Sequence, residues 1–84
     1  MEKSTNNSPR HVIKAFIYRG EKYYIAECFD IPVVTQGITL DETIVNLKEA
    51  ISLHLEDENL QELGFVENPG IYITMEIEPE LKVA

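Results

Sequence analysis

GITLDETIVNLKEAISLHLE, residues 37–56, is the one long stretch of this chain with the period of an amphipathic helix. Its apolar residues recur every three or four positions, which places them on one stripe of a helix. Thr39 and Glu42 form a capping box, in which we expect the Glu42 carboxylate to accept from the Thr39 N–H. Asp41 and Glu42 add negative charge at the positive end of the helix dipole. We therefore predict one main helix packed on a sheet. The residues of its apolar stripe are Leu40, Ile44, Leu47, Ile51 and Leu55.

The segments before this helix predict three strands. Residues 10–18 are rich in branched and aromatic side chains and are apolar on both faces, which is typical of a central strand or of one covered on both sides. Residues 23–28 follow a turn, in which Gly20 is free to take a positive φ, and they pair back as a hairpin. Residues 33–36 form a short third strand.

The segments after the helix predict one more strand. Residues 60–64 resemble a last helical turn or a second short helix, and residues 65–70 a loop with an Asn-Pro-Gly turn signal. Residues 71–78 alternate between apolar and other side chains, which predicts a half-buried strand. The residues expected to face the core are Ile71, Ile73, Met75 and Ile77. The order β-β-β-α-β predicts an α+β fold, with a mainly antiparallel sheet and one main helix packed on one face.

The length of 84 residues indicates one domain. Residues 1–9 are polar and without period, so we expect a disordered tail, and residues 10–84 then form a single α+β domain. A chain this short is marginally stable alone, so we expect a homodimer or a higher homo-oligomer.

Cysteine usage and hydropathy indicate the compartment. Cys28 is the only cysteine, so no intramolecular disulfide can form, which favours a reducing compartment. The first residues contain no apolar run of the kind that marks a signal peptide. No stretch approaches the roughly 18 apolar residues of a membrane span. We therefore expect a cytoplasmic protein with no membrane partner.

The charge of −8 is unevenly distributed, at +1 over residues 1–38 and −9 over residues 39–84. The acidic half repels phosphate backbones, so we expect no direct nucleic-acid binding by this chain alone. Two interpretations remain open, namely a solvated, solubilising surface or a surface shaped for a basic protein partner.

Few residues of the sequence suggest catalysis. The glycines are too scattered for a phosphate-binding loop, and neither His11 nor His54 has a second His or a Cys at ligand spacing. We therefore predict no enzyme and no cofactor. One alternative is that Glu27, Asp30 and Glu42 converge and hold Mg²⁺, as in a divalent-metal phosphodiesterase.

A run of motifs through the middle of the chain carries a family resemblance. It spans residues 23–42, YYIAECFDIPVVTQGITLDE, and continues with NLKEA at 46–50 and LHLE at 53–56. Its parts are a tyrosine-led strand, an Asp-x-Pro turn, a Thr-Gln-Gly end, a Thr-Leu-x-Glu helix start and Asn-Leu-x-Glu-Ala inside the helix. In this run, about half of its length, the chain resembles the HicB-like antitoxin family.

The resemblance implies a partial ribonuclease-H-like fold without that enzyme's active site. It implies an antitoxin of a type II toxin–antitoxin system, which binds and blocks a small basic ribonuclease toxin that cleaves mRNA, and it implies homo-oligomers. The end of the chain leaves no room for the C-terminal DNA-binding module of larger members, so the expectation is a short member. At the turn, Phe29 stands where the family often has Pro, and Val33 where it often has Gly.

These observations give a set of expected partner-binding residues: Tyr24, Phe29, Asp30 and Glu42. Besides the metal-dependent enzyme, an alternative function is a homo-oligomeric scaffold or binding protein with no toxin partner, held together at an exposed strand edge.

Overall fold

A computed structural model of the protein describes residues 8–79. Most of the predicted disordered tail therefore lies outside the described residues. The described part forms four strands and one helix. They are β1 (Arg10–Arg19), β2 (Tyr24–Cys28), β3 (Val34–Gly37), α1 (Leu40–Leu55) and β4 (Phe65–Met75).

The strands form one mixed sheet in the order β3-β2-β1-β4. β2 is antiparallel to both β1 and β3, whereas β4 lies parallel to β1 on its other side. The predicted α+β fold, its β-β-β-α-β order and its single main helix are confirmed. β1 is the central strand that its two apolar faces predicted. The parallel pair arises because α1 returns the chain from the β3 edge to the opposite edge.

The core lies between α1 and one face of the sheet. On that face, alternate residues of β1 are buried, namely Ile13, Ala15 and Ile17, each about 1% exposed. Leu47 and Ile51 of α1 cover them from above and are themselves buried. The remaining members of the predicted helix stripe are half-buried and pack against this core. They are Leu40, Ile44 and Leu55.

The start of α1 is capped almost as its sequence predicts. The Thr39 hydroxyl accepts from the Glu42 N–H at 3.1 Å. The Glu42 carboxylate, however, accepts from the Ile38 N–H at 2.7 Å rather than from the Thr39 N–H. Thr43, the buried polar residue of this core, donates its hydroxyl hydrogen to the Thr39 carbonyl at 2.7 Å.

Gly37 ends β3 directly beneath this first helical turn. A Cβ at Gly37 would lie 2.5 Å from the Thr43 hydroxyl oxygen and 2.7 Å from the Thr43 backbone nitrogen. The absence of a side chain therefore allows α1 to sit against the end of β3.

The structure decides two turns that the sequence left open. Among the glycines of residues 8–79, the positive φ belongs to Gly64, at 88°, and Gly20 does not use the freedom that its turn allows. Residues 60–64 form hydrogen-bonded turns, including one helical turn from the Leu63 N–H to the Asn59 carbonyl at 3.1 Å, and not a second helix. Gly64 ends this segment because its carbonyl accepts from the Arg10 N–H at 2.7 Å and so starts the pairing of β4 with β1.

The last strand begins earlier and ends earlier than predicted. The segment 65–70, expected to be a loop, is the first half of β4, since Phe65 is buried and pairs with Arg10. The register shifts between the pairs Arg10–Phe65 and Val12–Gly70, so residues 66–69 of β4 bulge out without a partner in β1. Pairing at both ends thus incorporates the local turn sequence into the strand as an irregularity.

The predicted burial of the end of this strand is wrong as well. Ile71 and Ile73 are half-buried, whereas Met75 is 41% and Ile77 74% exposed. The cause is the position of α1, which lies over β2 and β3 and leaves the far end of β4 uncovered.

Candidate partner-binding surface

The sheet face opposite α1 carries the most distinctive surface of the described chain. Strand alternation and the register of the pairs place one set of side chains on this face. We call this side of the sheet the open face. Since α1 lies on the other side, no helix within residues 8–79 covers it. Its apolar and aromatic residues are Val12, Phe16, Tyr18, Ile25, Phe29, Val34 and Tyr72.

An aromatic row forms the middle of the open face. The Phe16 ring centroid lies 4.8 Å from that of Phe29 and 5.6 Å from that of Tyr18. Phe29 is 66% exposed, and on the two edge strands Val34 and Tyr72 are 65% and 56% exposed. Single exposed apolar residues are ordinary, but a contiguous set marks an interaction site. The open face therefore has the composition of a protein-binding surface.

Electrostatically, the open face is nearly neutral. Its paired strands contribute one cation, Lys14, and one anion, Glu27. The Tyr18 hydroxyl donates to the Glu27 carboxylate at 2.6 Å. This hydrogen bond, and then partial burial and the negative charge of Glu27, raise the pKa of Tyr18 above 10.0. The hydroxyl therefore stays protonated and holds the carboxylate in place at neutral pH.

The acidic charge lies elsewhere, on α1 and the segment that follows it. An open groove of about 1290 Å³ runs between this segment and the start of β1. Its carboxylates are exposed, and Arg10 is the basic residue of its lining. The acidic lining residues are Glu56, Asp57, Glu58 and Glu67. The protein thus presents a neutral apolar face and, separately, an acidic groove.

A rigid turn positions Phe29 on the open face. The Asp30 carboxylate binds Arg10 at 2.9 Å and accepts from the Lys14 N–H at 2.8 Å, and its side chain is only 13% exposed. The Phe29 N–H donates to the Lys14 carbonyl at 2.8 Å. The turn is also closed by a bond of 3.0 Å from the Cys28 N–H to the Val33 carbonyl. Phe29 is therefore held in its exposed position by the backbone beneath it.

The four expected partner-binding residues do not form one cluster. Phe29 and Asp30 follow the end of β2, and Tyr24 begins it, about 16 Å away for a strand of this length. Tyr24 is half-buried on the α1 side of the sheet beneath the Arg19 guanidinium, which lies 5.0 Å from its ring. The Glu42 carboxylate caps α1. Phe29 is the most exposed aromatic side chain, and the participation of all four in binding stays a prediction.

The three carboxylates considered for a metal site are engaged separately. Glu27 accepts from Tyr18, Asp30 from Arg10, and Glu42 from the Ile38 N–H. Among residues 8–79, no three His, Cys, Asp or Glu side chains lie close enough together to hold a metal ion.

The thiol of Cys28 is unsuited to nucleophilic chemistry. It is half-buried at the end of β2, on the α1 side of the sheet. Burial, and then the negative charge of Asp30, raise its pKa above the usual 9.0. A thiol with a raised pKa is protonated at neutral pH and reacts slowly.

Sequence reasoning missed the surface residues Phe16, Val34 and Tyr72. The available signal was the apolar character of both faces of residues 10–18. That pattern predicted burial on both sides, whereas the structure covers one side with a helix and leaves the other side open.

The fold and this surface define a small α+β domain with an uncovered, aromatic sheet face. The described part contains no helix long and apolar enough to cross a membrane. Comparison of the chain with protein-family models, with curated proteins and with solved structures finds no match.

Proposed function

We propose that this chain is a cytoplasmic antitoxin-like protein that binds a small basic ribonuclease toxin and blocks its cleavage of mRNA. One observation carries the proposal, namely the aromatic row on the open face, in which Phe29 is 66% exposed and Phe16 and Tyr18 are half-buried. Contiguous aromatic side chains are enriched at the centres of protein interfaces. The motif run of residues 23–56, which resembles the HicB-like antitoxin family, supplies the kind of partner.

The blocking mechanism is steric. The partner lies against the open face and buries Phe29 together with Phe16 and Val34. Phe29 needs little ordering on binding, because the Asp30 turn already fixes its backbone. A ribonuclease held in this way cannot accept an RNA strand at the covered surface.

The acidic charge has a separate role in binding. A chain of −8 attracts a basic partner over a distance and speeds their encounter. The carboxylates of the acidic groove lie in water and contribute more to the association rate than to the final affinity. High salt should therefore slow binding without abolishing it.

Co-expression tests the proposal. The chain is produced together with a small basic protein that is encoded next to its own gene. The pair is then purified through a tag on the basic protein. We expect stoichiometric co-purification, together with loss of the basic protein's RNA cleavage. Failure of the two proteins to co-purify, with RNA cleavage unchanged by the chain, would contradict the proposal.

A second candidate function is a homo-oligomeric scaffold with no toxin partner. The exposed apolar residues favour it, because a second copy would remove them from water. Homo-oligomers are also compatible with the antitoxin proposal. Sedimentation of the chain alone at micromolar concentration, with and without the basic protein, separates the two. A scaffold forms the same oligomer in both samples, whereas an antitoxin forms a mixed complex.

A further inference from the structure

The outer edge of β4 is an unpaired strand edge. β4 is the last strand of the sheet, and β1 pairs with only one of its two edges. The Glu76 N–H donates to the Ile17 carbonyl at 3.0 Å, so the backbone hydrogen-bonding groups of Glu76 point towards β1. By alternation, the N–H and C=O groups of Ile71, Ile73 and Met75 point outwards. No strand of residues 8–79 accepts these bonds.

The second half of this edge, after the irregular stretch at Glu67 and Pro69, lacks the features that usually prevent strand pairing. Residues 71–75, Ile-Tyr-Ile-Thr-Met, contain no charge and no proline. The opposite edge of the sheet is better protected, since β3 is only four residues long and α1 lies over it. β4 is thus the edge that is suited to pair with another strand.

The side chains next to this edge are also incompletely covered. On the α1 side of the sheet, exposure increases from Ile71 to Met75, because α1 does not reach across β4. A groove of about 360 Å³ separates α1 from β4, and its walls include Leu55, Leu60 and Ile71. An added strand would extend the sheet and shield these apolar groups.

We propose that a second copy of this chain pairs antiparallel along β4, with the two-fold axis at Ile73, and forms a continuous sheet of eight strands. In this register Ile71 lies opposite Met75 of the other copy, and Tyr72 opposite Thr74. The outward groups of these residues then exchange about six backbone hydrogen bonds. The inference rests on the homo-oligomer part of the proposed function and does not depend on the toxin.

The charges are compatible with a second copy as the occupant, because residues 71–75, which would pair with themselves, carry no charge. Two chains of −8 repel unless their carboxylates stay apart. A two-fold axis at Ile73 places Glu76 opposite Gly70, and Glu78 opposite Asn68. Likewise, Glu67 faces Pro79. No carboxylate meets another across the pairing, and the open face remains free for a different partner.

A pair of proline variants tests the pairing. Met75→Pro removes an outward N–H and leaves the bonds of Glu76 to β1 in place. Ile77→Pro is the matched control, because Ile77 is exposed and lies beyond the end of β4. At micromolar concentration in sedimentation equilibrium, we expect dimers for the wild type and Ile77→Pro, and monomers for Met75→Pro. Circular dichroism checks that all three fold.

Disulfide trapping gives a second measurement that does not depend on the proline variant folding. In a Cys28→Ser background, Ile73→Cys places two thiols at the two-fold axis, with Cα atoms about 5.5 Å apart in a hydrogen-bonded pair. That separation suits a disulfide. Tyr72→Cys is the control, because residue 72 faces residue 74 of the other copy. We expect oxidation to give covalent dimers for Ile73→Cys and few for Tyr72→Cys.

The outcomes separate two failures. If the wild type is a dimer but Met75→Pro stays dimeric, or Ile73→Cys does not cross-link, the pairing along β4 is wrong while homo-oligomerisation stands. If the wild type is a monomer, the homo-oligomer itself is refuted, and the toxin-binding proposal is unaffected.

Discussion

Gly37→Ala should destabilise the protein strongly, because β3 and α1 meet at this residue. The added Cβ would lie 2.5 Å from the Thr43 hydroxyl oxygen, 2.7 Å from its backbone nitrogen and 2.9 Å from its Cα. Two of these atoms belong to the helix backbone, so a side-chain rotation cannot relieve the contact. The first turn of α1 must move away from the sheet, and its cap at Thr39 moves with it.

The magnitude follows from the overpacking of a buried site. Forcing extra carbon into a well-packed core costs roughly 1–3 kcal/mol, and a contact with backbone belongs at the upper end of that range. Reduced freedom of the unfolded chain returns about 0.4–1 kcal/mol for a Gly→Ala change. We therefore expect Gly37→Ala to lower the free energy of unfolding by about 2 kcal/mol. For a domain of this size that lowers Tm by roughly 8–16 °C.

Thermal and urea unfolding, followed by circular dichroism, measure this loss. Gly70→Ala is the matched control, because a Cβ there would meet only the Val12 side chain, at 3.9 Å. We expect Gly70→Ala to leave the free energy of unfolding unchanged or to raise it by up to about 1 kcal/mol, because it restricts the unfolded chain without a clash. Equal stability of Gly37→Ala and Gly70→Ala would refute the argument that the close approach of Gly37 to Thr43 positions the helix.

Three further predictions concern the turn and the two groups with raised pKa values. Asp30→Ala removes an ion pair and the acceptor of a backbone N–H, so urea titration should show a loss of about 1–3 kcal/mol. The Tyr18 phenol should ionise above pH 10.0 in a spectrophotometric titration, and Glu27→Gln should bring its pKa back towards that value. Because the folded-state pKa of Tyr18 is raised, the stability it contributes is present below pH 10 and is lost as the pH rises through the folded-state pKa. Cys28 should react slowly with iodoacetamide at neutral pH and rapidly once urea unfolds the chain; fast alkylation of the folded protein would contradict the raised pKa of the thiol.

Local patterns in the sequence predicted most of the fold. The period of α1 and the cap at Thr39 act within one helix, so they can be read from neighbouring residues. The start of β4 at Phe65 could not be predicted in that way. It depends on pairing with Arg10, far away in the chain, and on a register shift that leaves residues 66–69 of β4 unpaired. Non-local pairing of this kind leaves no periodic signal in the sequence.

The candidate surface could be predicted only in part. Phe29 was identified because it follows β2 at a turn, and the structure holds it exposed. Phe16 was not identified, since an apolar strand face has the same composition whether it is buried or open. The distinction depends on where α1 lies, and a single amphipathic helix can cover only one face of the sheet.

Inhibition of RNA cleavage by Phe29 variants tests the central claim most directly, since it asks whether the open face binds the partner. The proposed toxin is mixed with increasing amounts of wild type, Phe29→Ser or Leu53→Ser, and RNA cleavage is measured. Leu53 is the matched control, because it is 69% exposed on the helix, away from the open face. Truncation of a central aromatic contact costs at least about 2 kcal/mol. We therefore expect Phe29→Ser to inhibit roughly 30-fold more weakly than wild type, and Leu53→Ser to inhibit as wild type does. Equal inhibition by Phe29→Ser and wild type would contradict the assignment of the open face as the binding surface.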